Sequence, residues 1–88
     1  MNGLEFFSND YYKILKFIND NQIEIKGNKY SSYSQQEIAD VLHFSKTKVN
    51  KMLKDLITLG YVQVFNNIKG KYQITDIGRD VVNRIEVK

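Results

Sequence analysis

Residues 34–60 read SQQEIADVLHFSKTKVNKMLKDLITLG, and how this stretch divides decides the fold. Its apolar residues fall into two helical sets with a short break between them. Ser34 is a good N-cap, and Glu37 sits three residues later, where its side chain can reach back to the Ser34 N–H; this is a capping box. Ile38, Val41 and Leu42 supply the apolar face of the helix that follows, and Ala39 keeps one point of it narrow. His43 and Phe44 make a tight turn, with Phe44 expected to plug the core between the helices. Ser45 then caps a second helix, in which Val49, Met52, Leu53 and Leu56 repeat at i, i+3, i+4 and i+7. Gly60 stands where a left-handed residue should stop it.

Upstream, a helix is expected to begin after Ser8 or Asn9, with Asp10 in its first turn. Tyr11, Ile14, Leu15 and Ile18 form its core face, and Asn19–Asn21 end it. In residues 22–33, Ile23 and Ile25 alternate with Glu24 and Lys26, and Gly27–Asn28 is a turn signal. A hairpin or a structured loop is expected there, with a short strand just before Ser34. Downstream, residues 61–65 are rich in β-branched and aromatic side chains, as strands are. Asn66, Asn67 and Gly70 mark a turn around Ile68 and Lys69, and residues 71–75 return as the partner strand. Thr75 caps a last helix with Asp76 in its first turn and an apolar stripe of Ile77, Val81, Val82 and Ile85. This order of helices and strands gives an α+β fold on one small core.

A length of 88 residues suits one domain, spanning 1–88. With 42% apolar and 12% aromatic residues the chain can build a core. There is no cysteine and a single histidine, so thiol chemistry and a multi-histidine metal site are excluded. No metal and no cofactor is expected. No apolar run approaches the roughly 18 residues of a membrane helix. No signal segment opens the chain, and a cytoplasmic protein that does not meet the membrane is the expectation. An enzyme is not expected. Glu37 and Asp40 match an acid/base pair only loosely, and a capping box plus a surface acid explains both. The glycines are scattered, so no phosphate-cradling loop exists.

Charge placement is more informative than the net +3. Residues 45–71 hold Lys46, Lys48, Lys51, Lys54, Lys69 and Lys71 against Asp55 alone, a net +5, which leaves −2 for the rest. A basic segment on a slightly acidic body is either a polyanion-facing surface or a solvated helix face.

The ordered string Ile38-Ala39-Asp40-Val41-Leu42-His43-Phe44-Ser45-Lys46-Thr47-Lys48-Val49, then Leu53, Leu56 and Gly60-Tyr61-Val62, resembles the winged helix-turn-helix family of bacterial DNA-binding proteins. Lys71-Tyr72-Gln73-Ile74-Thr75-Asp76-Ile77-Gly78 is similar to that family's second wing strand running into its last helix. The resemblance covers residues 33–82. His43 departs from it, because the family often places glycine at this turn.

The resemblance implies a three-helix core with a two- or three-stranded wing sheet and a C-terminal helix. The helix-turn-helix would occupy 34–60, the wing 61–75 and the last helix 76–87. It further implies sequence-specific binding of double-stranded DNA by a small bacterial transcriptional regulator. The second helix of the motif would lie in the major groove, with Thr47, Lys48 and Lys51 on bases, Lys46 and Lys54 on phosphates, and Asn50 on either. Gln35 and Gln36 would meet a phosphate at a helix N-terminus. Asn67, Lys69 and Lys71 of the wing would follow the backbone or enter the minor groove. A winged-helix protein-interaction module, or a DNA-binding protein of plasmid or phage replication, is the alternative. A homodimer is expected through Ile77, Val81 and Ile85 or through Leu4, Phe6 and Phe7, because one such helix reads only a few base pairs. No small-molecule effector is expected.

Overall fold

A computed structural model describes residues 10–68 and 70–86, with side chains as far as residue 84. The expected caps at Ser8 and Asn9, the segment with Leu4, Phe6 and Phe7, Lys69 and the side chain of Ile85 lie outside the described residues. The first helix, α1 (Asp10–Asp20), buries Ile14, Leu15 and Ile18 completely. A hairpin follows, β1 (Ile23–Ile25) against β2 (Asn28–Tyr30), with Ile23 opposite Tyr30. Its turn falls on Lys26 and Gly27, one residue earlier than the Gly27–Asn28 signal. Both are left-handed, with φ 52° and 82°, as a two-residue hairpin loop matched to the strand twist requires.

The capping box forms as its residues dictate. The Glu37 N–H donates to Ser34 Oγ at 3.1 Å, and the Ser34 N–H donates to Glu37 Oε1 at 2.9 Å. It opens α2 (Gln35–Leu42), which buries Ile38 and Ala39. His43 closes α2 in the left-handed conformation, and the Phe44 N–H returns to the Ala39 carbonyl at 2.9 Å. Ser45 Oγ then accepts from the Lys48 N–H at 3.0 Å and starts α3 (Lys46–Thr58). Two bonds end α3: the Gly60 N–H to Ile57 O and the Tyr61 N–H to Leu56 O, both 3.0 Å. This pair satisfies two terminal carbonyls and requires positive φ at Gly60, observed at 84°.

The wing pairs β3 (Val62–Val64) with β4 (Tyr72–Ile74), Val62 opposite Ile74 and Val64 opposite Tyr72. A tight turn leads into its loop: Asn66 and Asn67 are both left-handed, with φ 49° and 58°, and the Ile68 N–H donates to Phe65 O at 2.9 Å. Thr75 joins the wing to α4 (Asp76–Glu86). Its hydroxyl donates to Gly60 O at 2.7 Å and accepts from the Gly78 N–H at 3.1 Å, so the end of α3 and the start of α4 share one side chain. The strand expected before Ser34 is a single bridge: Ser31 and Tyr72 exchange two backbone bonds, of 2.7 and 3.0 Å. The backbones of the two small antiparallel sheets are therefore joined at this pair, and Gln73 Nε2 adds a bond to Lys29 O at 2.8 Å.

Among the described residues, four helices and two small antiparallel sheets make an α+β fold with the layout of a winged helix-turn-helix. Val49, Met52, Leu53 and Leu56 of α3 meet Ile14, Leu15 and Ile18 of α1, Ile38 of α2, Val62 and Ile74 of the wing and Val82 of α4 in one core. Three apolar residues sit differently from expectation. Val41 is 53% exposed, because Ile38, Ala39 and Leu42 set the buried side of α2 and Val41 falls on its flank. Ile77 is 60% exposed, because α4 docks through Gly78 and Val82. Phe44 is half-buried: it packs on the edge of the core under Lys48, whose Nζ stands 4.3 Å from its ring centre. Among the described residues no helix is long and apolar enough to cross a membrane.

Candidate nucleic-acid interface

The core residues of α3 fix what its other sides present. Successive residues turn by about 100°, so burying Val49, Met52, Leu53 and Leu56 directs Thr47, Lys51 and Lys54 outward. These three are exposed, as is Lys46. Lys46 and Asn50 lean toward the start of α2 and the wing. With Ser34, Gln35, Gln36, Gly70 and Tyr72 they line a groove of about 420 Å³. Lys54 lines a second groove of about 350 Å³ with Gln35, Ile57, Val64, Asn67, Gly70 and Tyr72, among others. The two grooves share Gln35, Gly70 and Tyr72. One continuous surface thus carries Gln35, Gln36, Lys46, Asn50, Lys54 and Asn67.

Polar side chains on this surface are held by one another. Asn50 Nδ2 donates to Gln35 Oε1 at 3.0 Å, and Gln35 Nε2 donates to the Tyr72 hydroxyl at 3.3 Å. Gln36 Nε2 donates along α2 to Asp40 Oδ1 at 2.8 Å. Lys51 extends to Asp55 of the next turn at 2.9 Å with its side chain still 73% exposed.

Two lysines expected here point elsewhere. Lys48 lies on the side of α3 that faces α1, where its ammonium bonds Asp10 while crossing the Phe44 ring. Lys71 immediately precedes β4, and its ammonium covers the Tyr30 ring at 5.1 Å. Tyr30 is in turn stacked on Phe65, centroids 4.5 Å apart. Lys69 lies outside the described residues.

Acidic groups border this surface from the α1 side. Asp10 is held below its ordinary value of 3.8, first by its bond from Lys48 and then by the charges of Lys48 and Lys13, against some desolvation. Asp55 is lowered as well, first by the Tyr11 hydroxyl donating at 2.6 Å and then by Lys51. The same bond raises Tyr11, and Asp55 raises Lys51. Sequence reasoning missed Asp10, Tyr11, Asp55 and Tyr72. Spacing pairs Asp55 with Lys51 but carries no signal that Asp10 and Tyr11 reach this helix, because the α1–α3 crossing brings them there. Alternation along β4 marks Tyr72 as buried without revealing where its hydroxyl ends. Among the described residues no three His, Cys, Asp or Glu side chains gather as a metal site.

No family model and no curated protein matches the chain. Solved structures do. The chain is similar to the reduced Fe(II) CO-sensing protein from R. rubrum, with TM-score 0.70 and 21% identity over 91% of this chain and 38% of that one. It is also similar to a transcriptional regulator of the CRP/FNR family from Thermus thermophilus, with TM-score 0.61 and 18% identity over 84% of this chain and 39% of that one. The chain therefore spans about two-fifths of the length of these solved proteins. At such identities the likeness is one of fold.

Proposed function

We propose that this chain binds double-stranded DNA with sequence preference, as a small bacterial transcriptional regulator. One observation carries the reading. Lys46, Thr47, Asn50, Lys51 and Lys54 stand on the outer side of α3, between the start of α2 and the wing. A helix with its side chains is about 10–12 Å across and the major groove about 12 Å wide, so α3 can enter it. Lysines there meet phosphates, while asparagine and threonine carry the donors and acceptors that base edges need. The fold supports the same reading, since one protein that shares it is a transcriptional regulator.

The geometry revises the division of labour among the residues. Thr47, Asn50 and Lys51 face bases in this arrangement, Lys46 and Lys54 face phosphates, and Gln35 and Asn67 border the site from α2 and the wing. Lys48 serves the α1–α3 junction. Two copies on a two-fold site would give a useful operator length, and exposed Ile77 with half-buried Val81 is one apolar surface among the described residues that a second copy could cover. Light scattering at high concentration tests that assembly.

The deciding experiment is an amide-shift NMR titration of labelled protein with a generic duplex at low salt. Shifts confined to residues 34–36, 45–54 and 66–71, and reversed by salt, are expected. No shift, or shifts only at the chain ends, would overturn DNA binding in favour of a protein-interaction module.

A further inference from the structure

We infer that Asn50 reads one A·T base pair, and that Gln35 and Tyr72 are the residues that aim it. The inference rests on the DNA-binding reading and adds what is recognised. Asn50 spends one Nδ2 proton on Gln35 Oε1. Among the described residues its Oδ1 has no hydrogen-bond partner. The second Nδ2 proton and Oδ1 together form an edge with one donor and one acceptor. Adenine offers the complement in the major groove: N6–H to donate and N7 to accept. No other base matches that edge in both places.

The aim comes from the wing. Gln35 cannot swing freely, because its Nε2 is bonded to the Tyr72 hydroxyl. Tyr72 is 4% exposed, and its backbone is fixed on both sides by the two bonds to Ser31, itself fully buried. Rotation of the Asn50 amide thus breaks a chain of bonds that ends in the core. A reading group held before its target arrives loses less freedom on binding and discriminates more sharply. Lys51 on the same helix is held too, but by Asp55 and through it Tyr11, on the side away from the wing.

The test is selection from a pool of 20-base-pair random duplexes by the full chain, followed by sequencing of the bound fraction. The same selection is run with Asn50→Ala, Gln35→Ala and Tyr72→Phe, each checked by thermal melting. The wild type should enrich a motif containing an A·T column. Asn50→Ala should flatten that column alone, a loss of about tenfold in discrimination. Gln35→Ala and Tyr72→Phe should weaken the same column several-fold, and Tyr72→Phe, which removes only a hydroxyl, should keep affinity for the unselected pool within about twofold of wild type. A merely structural role would lower the melting point or the pool affinity and leave the motif sharp. If Asn50→Ala keeps every column, Asn50 does not read a base. If it flattens its column but Gln35→Ala and Tyr72→Phe do not, the aiming role is overturned. If the pool binds but no motif emerges, base reading fails while DNA binding stands. If the pool does not bind, both fall.

Discussion

His43 holds φ 60° and ψ 40° at the sharpest bend of the helix-turn-helix, a conformation that glycine adopts without strain and histidine does not. His43→Gly should therefore raise stability by about 0.5–1 kcal/mol, the relief of left-handed strain less the extra freedom of glycine in the unfolded chain. A denaturant midpoint shifted downward would contradict it. Asp10 makes a different kind of contribution. Its carboxylate holds Lys48 against α1 from the edge of a basic surface. A carboxylate lowered by folding stabilises above its unfolded value, near 3.8, and stops doing so as pH falls through its lower folded value. Asp10 and Asp55 share that sign, so the melting temperature should drop below pH about 4. Asp10→Asn should remove part of this slope and, by freeing Lys48, tighten binding to a generic duplex a few-fold. Calorimetry across pH and a fluorescence titration check the two halves.

At the scale of elements, the junction of α3, the wing and α4 tolerates least. A Cβ on Gly78 would lie 2.2 Å from the Tyr61 carbonyl oxygen, a backbone atom that cannot swing away. Gly78→Ala should destabilise by about 1–3 kcal/mol through overpacking, visible as a lower melting temperature. Helices, caps and the wing were legible in the sequence because their signals are local. Ser34 with Glu37, Ser45, Gly60 and Thr75 each mark a boundary within three or four residues of the groups they satisfy. The hairpin was half legible: Lys26 gave no sign of taking positive φ, yet the strand twist puts it there. Which side of a helix meets which neighbour was not legible. Apolar periodicity finds a stripe, and the stripe on α4 reads equally well with Ile77 inside or outside. The choice is made by Gly78, whose missing side chain lets the helix approach at that point. For the candidate site, the row on α3 was evident from its period. The destination of Lys48 was not, since it depends on Asp10 across a helix crossing.

For the whole molecule, affinity for DNA should be set by exposed lysines and hence by salt. With Lys46 and Lys54 each neutralising a phosphate, log K should fall with log salt at a slope of about −1.8 per chain. Lys46→Gln should weaken all duplexes alike and reduce that slope by about one, whereas Asn50→Ala should leave it unchanged. Titrations at four or five salt concentrations give both numbers.

The bridge between Ser31 and Tyr72 sets a clock for the molecule as well as a shape. Each hairpin is three residues long on either side, too small to persist alone in water. Two backbone bonds join the pair, helped by the Gln73–Lys29 bond and the Tyr30–Phe65 stack, so the two sheets should open together. Deuterium uptake should then report a single opening event: the amides of Ser31 and Tyr72 should show one common protection factor, larger than those of Glu24 and Gln63. Unequal values would mean that the two sheets open separately. A shared value would mean that the wing, and everything aimed from it, lasts only as long as its junction with the first hairpin.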